Sequence, residues 1–167
     1  IYRRHREQGG KMHYISLGAG DPAFIKTLAD IAHGLDMQVI AHDPFVSSEV
    51  FEAAGVESVS LDELAARSDY VSCHLPLTPQ TTGMIDAEFL DKMKPTAYFV
   101  NTGRGAVVKE ADLISALAEG RIAGAGLDVF EQEPISPDHP FCAMENVTLT
   151  PHLASFADQT MAIRARR

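Results

Sequence analysis

The chain has 167 residues and a formal charge of -9, from 14 Lys+Arg against 23 Asp+Glu. A composition of 46% hydrophobic and 22% charged residues is that of one globular domain with a real core, and excludes a disordered chain. No apolar run approaches the roughly 18 residues of a membrane span, and an acidic body offers no basic face to phosphates, so neither a membrane nor a nucleic-acid partner is expected.

The ends differ from the body. Residues 1–11, with Arg3, Arg4, Arg6, Lys11 and the Gly9-Gly10 pair, read as a basic tail or linker. Residues 161–167, with Arg164, Arg166 and Arg167, read as a basic C-terminal end, which leaves the domain proper over 12–160. Cys73 and Cys142 are unclustered and give neither a disulfide framework nor metal spacing. The charged start IYRRHREQGG lacks the apolar core of a signal peptide, so a cytoplasmic location is expected.

Short apolar runs alternate with helical patterns along the chain. Residues 13–17 (HYISL) form the first predicted strand, and 22–34 follow as a helix with Phe24, Ile25, Leu28, Ile31 and Ala32 at helical spacing. Residues 38–42 (QVIAH) are the second strand. Ser60-Leu-Asp-Glu63 is a capping box that starts a helix with Leu61, Leu64 and Ala65 on one face. A strand over 70–74, a helix over 86–93 and a strand over 97–101 come next. A helix over 110–119 ends at Gly120, and strands over 123–129 and 147–150 close the series. Residues 134–140 (PISPDHP) read as a rigid loop. This alternation predicts an α/β fold, a parallel sheet with crossover helices, and continuous apolar strands predict a sheet covered on both faces.

In such a sheet the strand C-termini share one edge, and ligands bind there. The first strand is followed by Gly18-Ala-Gly20-Asp21-Pro22-Ala23, a G-x-G-x-x-A variant of the dinucleotide fingerprint. Glycines there let the backbone approach a pyrophosphate, and the helix N-terminus favours its charge. Asp43, after the second strand, stands where a carboxylate would hold ribose hydroxyls and repel a 2′-phosphate, which favours NAD over NADP. Arg104, between Gly103 and Gly105, is a bidentate partner for a carboxylate. Glu133 and His152 suit an acid–base pair, because a carboxylate orients an imidazole and favours its protonated form. Taken singly, each also reads as an ordinary turn or loop residue. His5, His13, His33, His42 and His139 show no ligand spacing, and His74 lies on the site edge without one, so no metal site is expected.

Five segments in order carry a resemblance: MQVIAHDP (37–44), CHLPLTPQTTG (73–83), NTGRG (101–105), AGAGLDVFEQEP (123–134) and TPHLAS (150–155). Together they resemble the nucleotide-binding domain of the D-isomer-specific 2-hydroxyacid dehydrogenases, a family that includes phosphoglycerate, glycerate and D-lactate dehydrogenases. The resemblance implies a Rossmann-type doubly wound sheet, NAD as cofactor and a small 2-hydroxy or 2-keto acid as substrate. It implies that Arg104 grips the substrate carboxylate, that His152 is the acid/base on the 2-oxygen, and that Glu133 pairs with His152. It places Asp128 at the nicotinamide carboxamide, with Leu75, Pro76, Thr102 and Gly103 lining the cofactor. It also implies a homodimer through the nucleotide domain.

The sequence departs from the family's pattern at its start. Ala23 replaces the third glycine, the interval to Asp43 is about two residues longer, and Asp21 brings a negative charge beside the proposed pyrophosphate. The family's second, substrate-side domain has no counterpart here, so a nucleotide-binding domain without most of the substrate domain is expected. A non-catalytic NAD-binding or degraded module stands as the alternative to an oxidoreductase. A methyltransferase, which a GxG turn and an acid after the second strand also suit, is disfavoured by the NTGRG, FEQEP and TPH segments.

Overall fold

The structure, a computed structural model, describes the backbone of residues 13–17 and residues 22–154 in full. The basic head, Gly18, Gly20, Asp21 and the basic C-terminal end lie outside the described residues. In chain order the elements are β1 (His13–Leu17), α1 (Pro22–His33), β2 (Gln38–His42), α2 (Ser48–Ala53), β3 (Glu57–Ser58), α3 (Leu61–Arg67) and β4 (Tyr70–Cys73). They continue with α4 (Ala87–Lys92), β5 (Tyr98–Asn101), a 3-10 turn (Gly105–Val107), α5 (Glu110–Ala118), β6 (Gly124–Leu127), a second 3-10 turn (Pro140–Ala143) and β7 (Val147–Leu149).

All the strands pair in parallel, in the order β3-β2-β1-β4-β5-β6-β7. The order reverses between β1 and β4, which is the switch point of a doubly wound sheet and the place where a crevice opens. The register aligns His42, Leu17, Cys73, Asn101, Leu127 and Leu149 across neighbouring strands, so one row of strand ends underlies the loops that follow.

Helices cover the two faces. On one, α1 and α2 bury Ile25, Ala29, Ala32 and Phe51 with Val39 and Ala41 of β2. On the other, α3, α4 and α5 bury Leu64, Leu90 and Leu113 with Val71, Phe99 and Leu127. Truncating a fully buried aromatic such as Phe99 to Ala in such a core costs about 3–5 kcal/mol.

Local chemistry sets the helix ends. Ser60 Oγ accepts from Glu63 N at 3.2 Å while Ser60 N donates back to Glu63 Oε2 at 3.0 Å, which completes the predicted capping box. Asp86 caps α4 by accepting from Phe89 N at 3.3 Å. Gly120 has φ +68, the left-handed geometry that stops α5.

The structure adds α2 and β3 to the predicted elements. Six residues are too few to show a helical period, and β3 is Glu57-Ser58, two exposed polar residues paired with β2. The strand predicted over 70–74 stops at Cys73, and the one over 123–129 shortens to Gly124–Leu127. The loop predicted over 134–140 ends at His139, and a 3-10 turn begins at Pro140, whose fixed φ suits the first position of a turn.

Candidate active site

The predicted site residues within the described chain lie at the C-terminal strand edge. Pro22 and Ala23 are the first residues of α1, where Ala23 O accepts from Thr27 Oγ1 at 2.8 Å. Asp43 follows β2 directly, and its Oδ1 accepts from Phe45 N at 2.9 Å, which fixes the side chain in a turn. Phe45 itself is 94% exposed at this edge.

Beyond β4, His74 and Leu75 are half-buried and Pro76 is exposed. Burial pushes the His74 imidazole down to about 4, so the ring is neutral, and its Nε2 lies 2.8 Å from Ser72 Oγ. The ring also meets Phe24 of α1 edge-on at 4.9 Å, which ties α1 to the end of β4. Pro76 O accepts from Thr81 Oγ1 at 2.6 Å, and Thr81 and Thr78 cross-brace the turn after it.

Asn101 ends β5 with 1% exposure. Its Oδ1 accepts from Gly103 N at 3.0 Å and its Nδ2 donates to Arg104 O at 3.1 Å. This buried amide therefore shapes the loop carrying Thr102, Gly103 and Arg104. A Cβ on Gly103 would sit 3.1 Å from Leu75 O and 3.3 Å from Cys73 O, so glycine is what lets the loops after β4 and β5 close on each other. Arg104 is exposed, and its Nη1 donates to Gly103 O at 2.7 Å.

Asp128 follows β6 and is 4% exposed. Its carboxylate accepts from Thr150 Oγ1, from Leu153 N at 2.8 Å and from Ala154 N at 2.8 Å. His152 N donates to Asp128 O at 2.9 Å. Burial alone would raise the Asp128 carboxyl, but the bonds from Thr150, Ala154 and Leu153 outweigh it and hold it below the usual range. Asp128 thus organises the loop that presents His152, which has φ 55.

The structure brings Glu133 and His152 together, 19 residues apart in sequence. Glu133 Oε2 lies 2.8 Å from His152 Nδ1, and Glu133 Oε1 accepts from Phe130 N at 3.1 Å. The His152 contact and then the Phe130 amide hold the Glu133 carboxyl below its usual range. An ionised carboxylate only accepts, so Nδ1 carries the proton and Nε2 is directed elsewhere. The pair borders an open cleft of about 370 Å³ lined by Phe130, Glu133, Pro134, Ile135, Pro151 and His152. Arg104 is not part of that lining.

Sequence reasoning did not single out Asn101 or Thr150 as site residues. A lone polar residue ending an apolar strand signals Asn101. Thr150 is legible only once Asp128 is known to be buried behind it.

The chemistry of this edge suits NAD. Asp43 stands at the end of β2 near the switch point, α1 begins at the same edge, and Gly103 lets the loops after β4 and β5 approach each other.

Comparison with known proteins identifies the family of the chain. Residues 17–154 match the family described as D-isomer specific 2-hydroxyacid dehydrogenase, NAD binding domain. A glyoxylate reductase of Korarchaeum cryptofilum is 50% identical over 129 residues, which are 77% of this chain and 39% of the relative. A D-3-phosphoglycerate dehydrogenase of Archaeoglobus fulgidus is 43% identical over 139 residues, 83% of this chain and 26% of the relative. The holo D-mandelate dehydrogenase of Rhodotorula graminis superposes with a TM-score of 0.83 at 38% identity, over 98% of this chain and 49% of that one. A D-lactate dehydrogenase of Aquifex aeolicus, solved with NAD and lactic acid, superposes with a TM-score of 0.81 at 30% identity, over 93% of this chain and 50% of that one. The chain thus spans half or less of the length of these relatives. It belongs to the D-isomer specific 2-hydroxyacid dehydrogenase family, as an NAD-binding domain of that family.

Proposed function

We propose that the protein takes part in NAD-dependent hydride transfer at the CH–OH carbon of a small D-2-hydroxy acid, and that residues 12–160 are its cofactor domain. The observation that carries this reading is the 2.8 Å contact between Glu133 and His152 beside an open cleft. Bound NAD supplies the hydride acceptor, and its reduced form the donor. Everything else falls to protein side chains.

In this reading, Glu133 fixes the His152 tautomer, so that Nε2 takes the hydroxyl proton in oxidation and returns it in reduction. As the proton arrives, the imidazolium is stabilised by the adjacent carboxylate. Arg104, on a loop set by Asn101, extends its guanidinium to the substrate carboxylate in a two-point contact that also orients the reacting carbon. Asp43 holds the adenosine ribose. Gly18, Gly20, Asp21, Pro22 and Ala23 would meet the pyrophosphate, and Leu75, Pro76, Thr102 and Gly103 would line the cofactor. Asp128 holds the His152 loop from behind, and the acceptor capacity that its three donors leave would serve the carboxamide of the bound cofactor.

A second copy of the chain is the proposed macromolecular partner, through the nucleotide domain. Exposed Phe24, Ile31 and Leu35, along and just beyond α1, support an apolar contact there. The free cysteines Cys73 and Cys142 support a reducing, cytoplasmic location.

The test is NADH oxidation with a panel of small 2-keto acids by the full-length protein and its His152→Ala variant. Turnover that falls at least about 100-fold in the variant, with NAD affinity kept, is expected. No turnover with any 2-keto acid, or equal turnover in the variant, overturns the reading. Arg104→Lys also loses turnover, because Lys lacks the planar fork.

A further inference from the structure

Helix α5 begins without a cap of its own. Its N-cap residue is Lys109, which makes no side-chain capping bond. The amide of Glu110, the first helical residue, donates instead to Glu131 Oε1 at 2.9 Å, from the loop after β6. The bond is returned, because Glu131 N donates to Glu110 Oε1 at 2.7 Å. Each glutamate therefore closes the other's main chain, 21 residues away. The second oxygen of Glu110 lies 3.2 Å from His139 Nε2. Phe141 N donates to His139 Nδ1 at 3.3 Å, which leaves Nε2 as the protonated nitrogen that faces the carboxylate.

The clasp lies between the groups assigned to the chemistry. On one side the chain runs from Arg104 through Gly105 and the 3-10 turn to Glu110. On the other, Glu131 stands two residues before Glu133, whose Oε1 holds Phe130 N while its Oε2 holds His152. Close packing supports the same junction, since a Cβ on Gly105 would lie 1.9 Å from the Phe130 carbonyl.

We propose that Glu110 and Glu131 are positioning residues, whose reciprocal carboxylate-to-amide bonds lock the Arg104 loop against the Glu133 loop and so fix the His152–Glu133 pair relative to Arg104. The proposal rests on the functional reading above for the importance of those three groups. Neither glutamate is itself among the residues that line the cleft beside His152. A glutamine at either position keeps an oxygen acceptor and keeps the clasp, whereas alanine removes it.

The test uses the 167-residue chain labelled with 15N. Amide exchange at residues 110 and 131 and the ring-nitrogen shifts of His152 are followed in Glu131→Ala, Glu131→Gln and Glu110→Ala. Exchange at the amide of residue 110 about tenfold faster or more is expected in Glu131→Ala, with the His152 ring signals displaced and both restored in Glu131→Gln. Glu110→Ala produces the same His152 displacement with faster exchange at residue 131, and decides the matter should Glu131→Ala fail to fold. His152 signals unchanged in the folded alanine variants, with faster exchange confined to α5, assign a helix cap alone and overturn the proposal. A glutamine variant no better than alanine overturns it as well. Both readouts work without cofactor or substrate, so a chain that fails to turn over 2-keto acids leaves this test intact.

Discussion

Gly105→Ala is the sharpest packing test of how the site is assembled. The added methyl would lie 1.9 Å from the Phe130 carbonyl carbon and oxygen and 2.6 Å from Glu131 N. Non-bonded carbons settle at about 3.5–4.0 Å, so the 105–107 turn and the chain at 130–131 must separate by about 1.5 Å. All the obstructing atoms are main chain, so no side-chain rotation relieves the contact. Overpacking of this kind costs about 1–3 kcal/mol, and the main-chain obstruction places this case near 3. For a domain of this size each kcal/mol lowers Tm by about 2–4 °C, giving a drop of roughly 6–12 °C. Thermal unfolding by circular dichroism measures it, with Gly126→Ala as the control. At Gly126 a Cβ meets only Val100 Cγ2 at 3.8 Å, and Tm is expected to stay within about 2 °C of the parent. A Gly105→Ala chain that melts with the parent, or a control that loses as much, refutes the reasoning.

Two further predictions concern charge. Burial holds His74 down to about 4 from 6.5, so between those values the unfolded chain takes up a proton that the folded chain does not. Stability that is full above pH 6.5 therefore falls by about 3 kcal/mol as pH drops to 4, and His74→Asn flattens this slope in urea titrations; an equal slope in the variant contradicts the assignment. Asp128→Asn replaces an acceptor with an N–H donor facing a main-chain donor. It is expected to speed amide exchange at Leu153 and Ala154 about tenfold or more at neutral pH. The same variant has little effect at a pH below the lowered Asp128 value, where the parent carboxyl is itself protonated; protection unchanged at neutral pH contradicts the loop-holding role.

The strands and long helices were legible because burial on both faces writes continuous apolar runs, and the capping box at Ser60 marks a helix start chemically. The pair β3 and α2 was not legible, since two exposed polar residues and one and a half turns carry no period. At the site, the juxtaposition of strand ends followed from parallel topology, so Asp43, Arg104, Asp128, Glu133 and His152 could be placed on one edge from sequence. The Glu133–His152 pairing could be named as well, but not what holds their loops together. The 2.8 Å Glu133–His152 contact depends on a loop held by Asp128 and Thr150, and the cross-loop bonds of Glu110 and Glu131 join residues that look like surface glutamates in sequence. Asp128 illustrates the limit most clearly. The resemblance placed it at the cofactor; that its carboxylate also accepts from Thr150, Leu153 and Ala154 depends on how the 150–154 loop folds over it.

Calorimetric titration of the chain with NAD tests the central claim most directly. Saturable binding that weakens at least about tenfold in Asp43→Ala is expected, because the carboxylate proposed to hold the ribose is lost. No heat of binding at millimolar NAD, or an affinity untouched by Asp43→Ala, would contradict the account of the strand edge as the cofactor site.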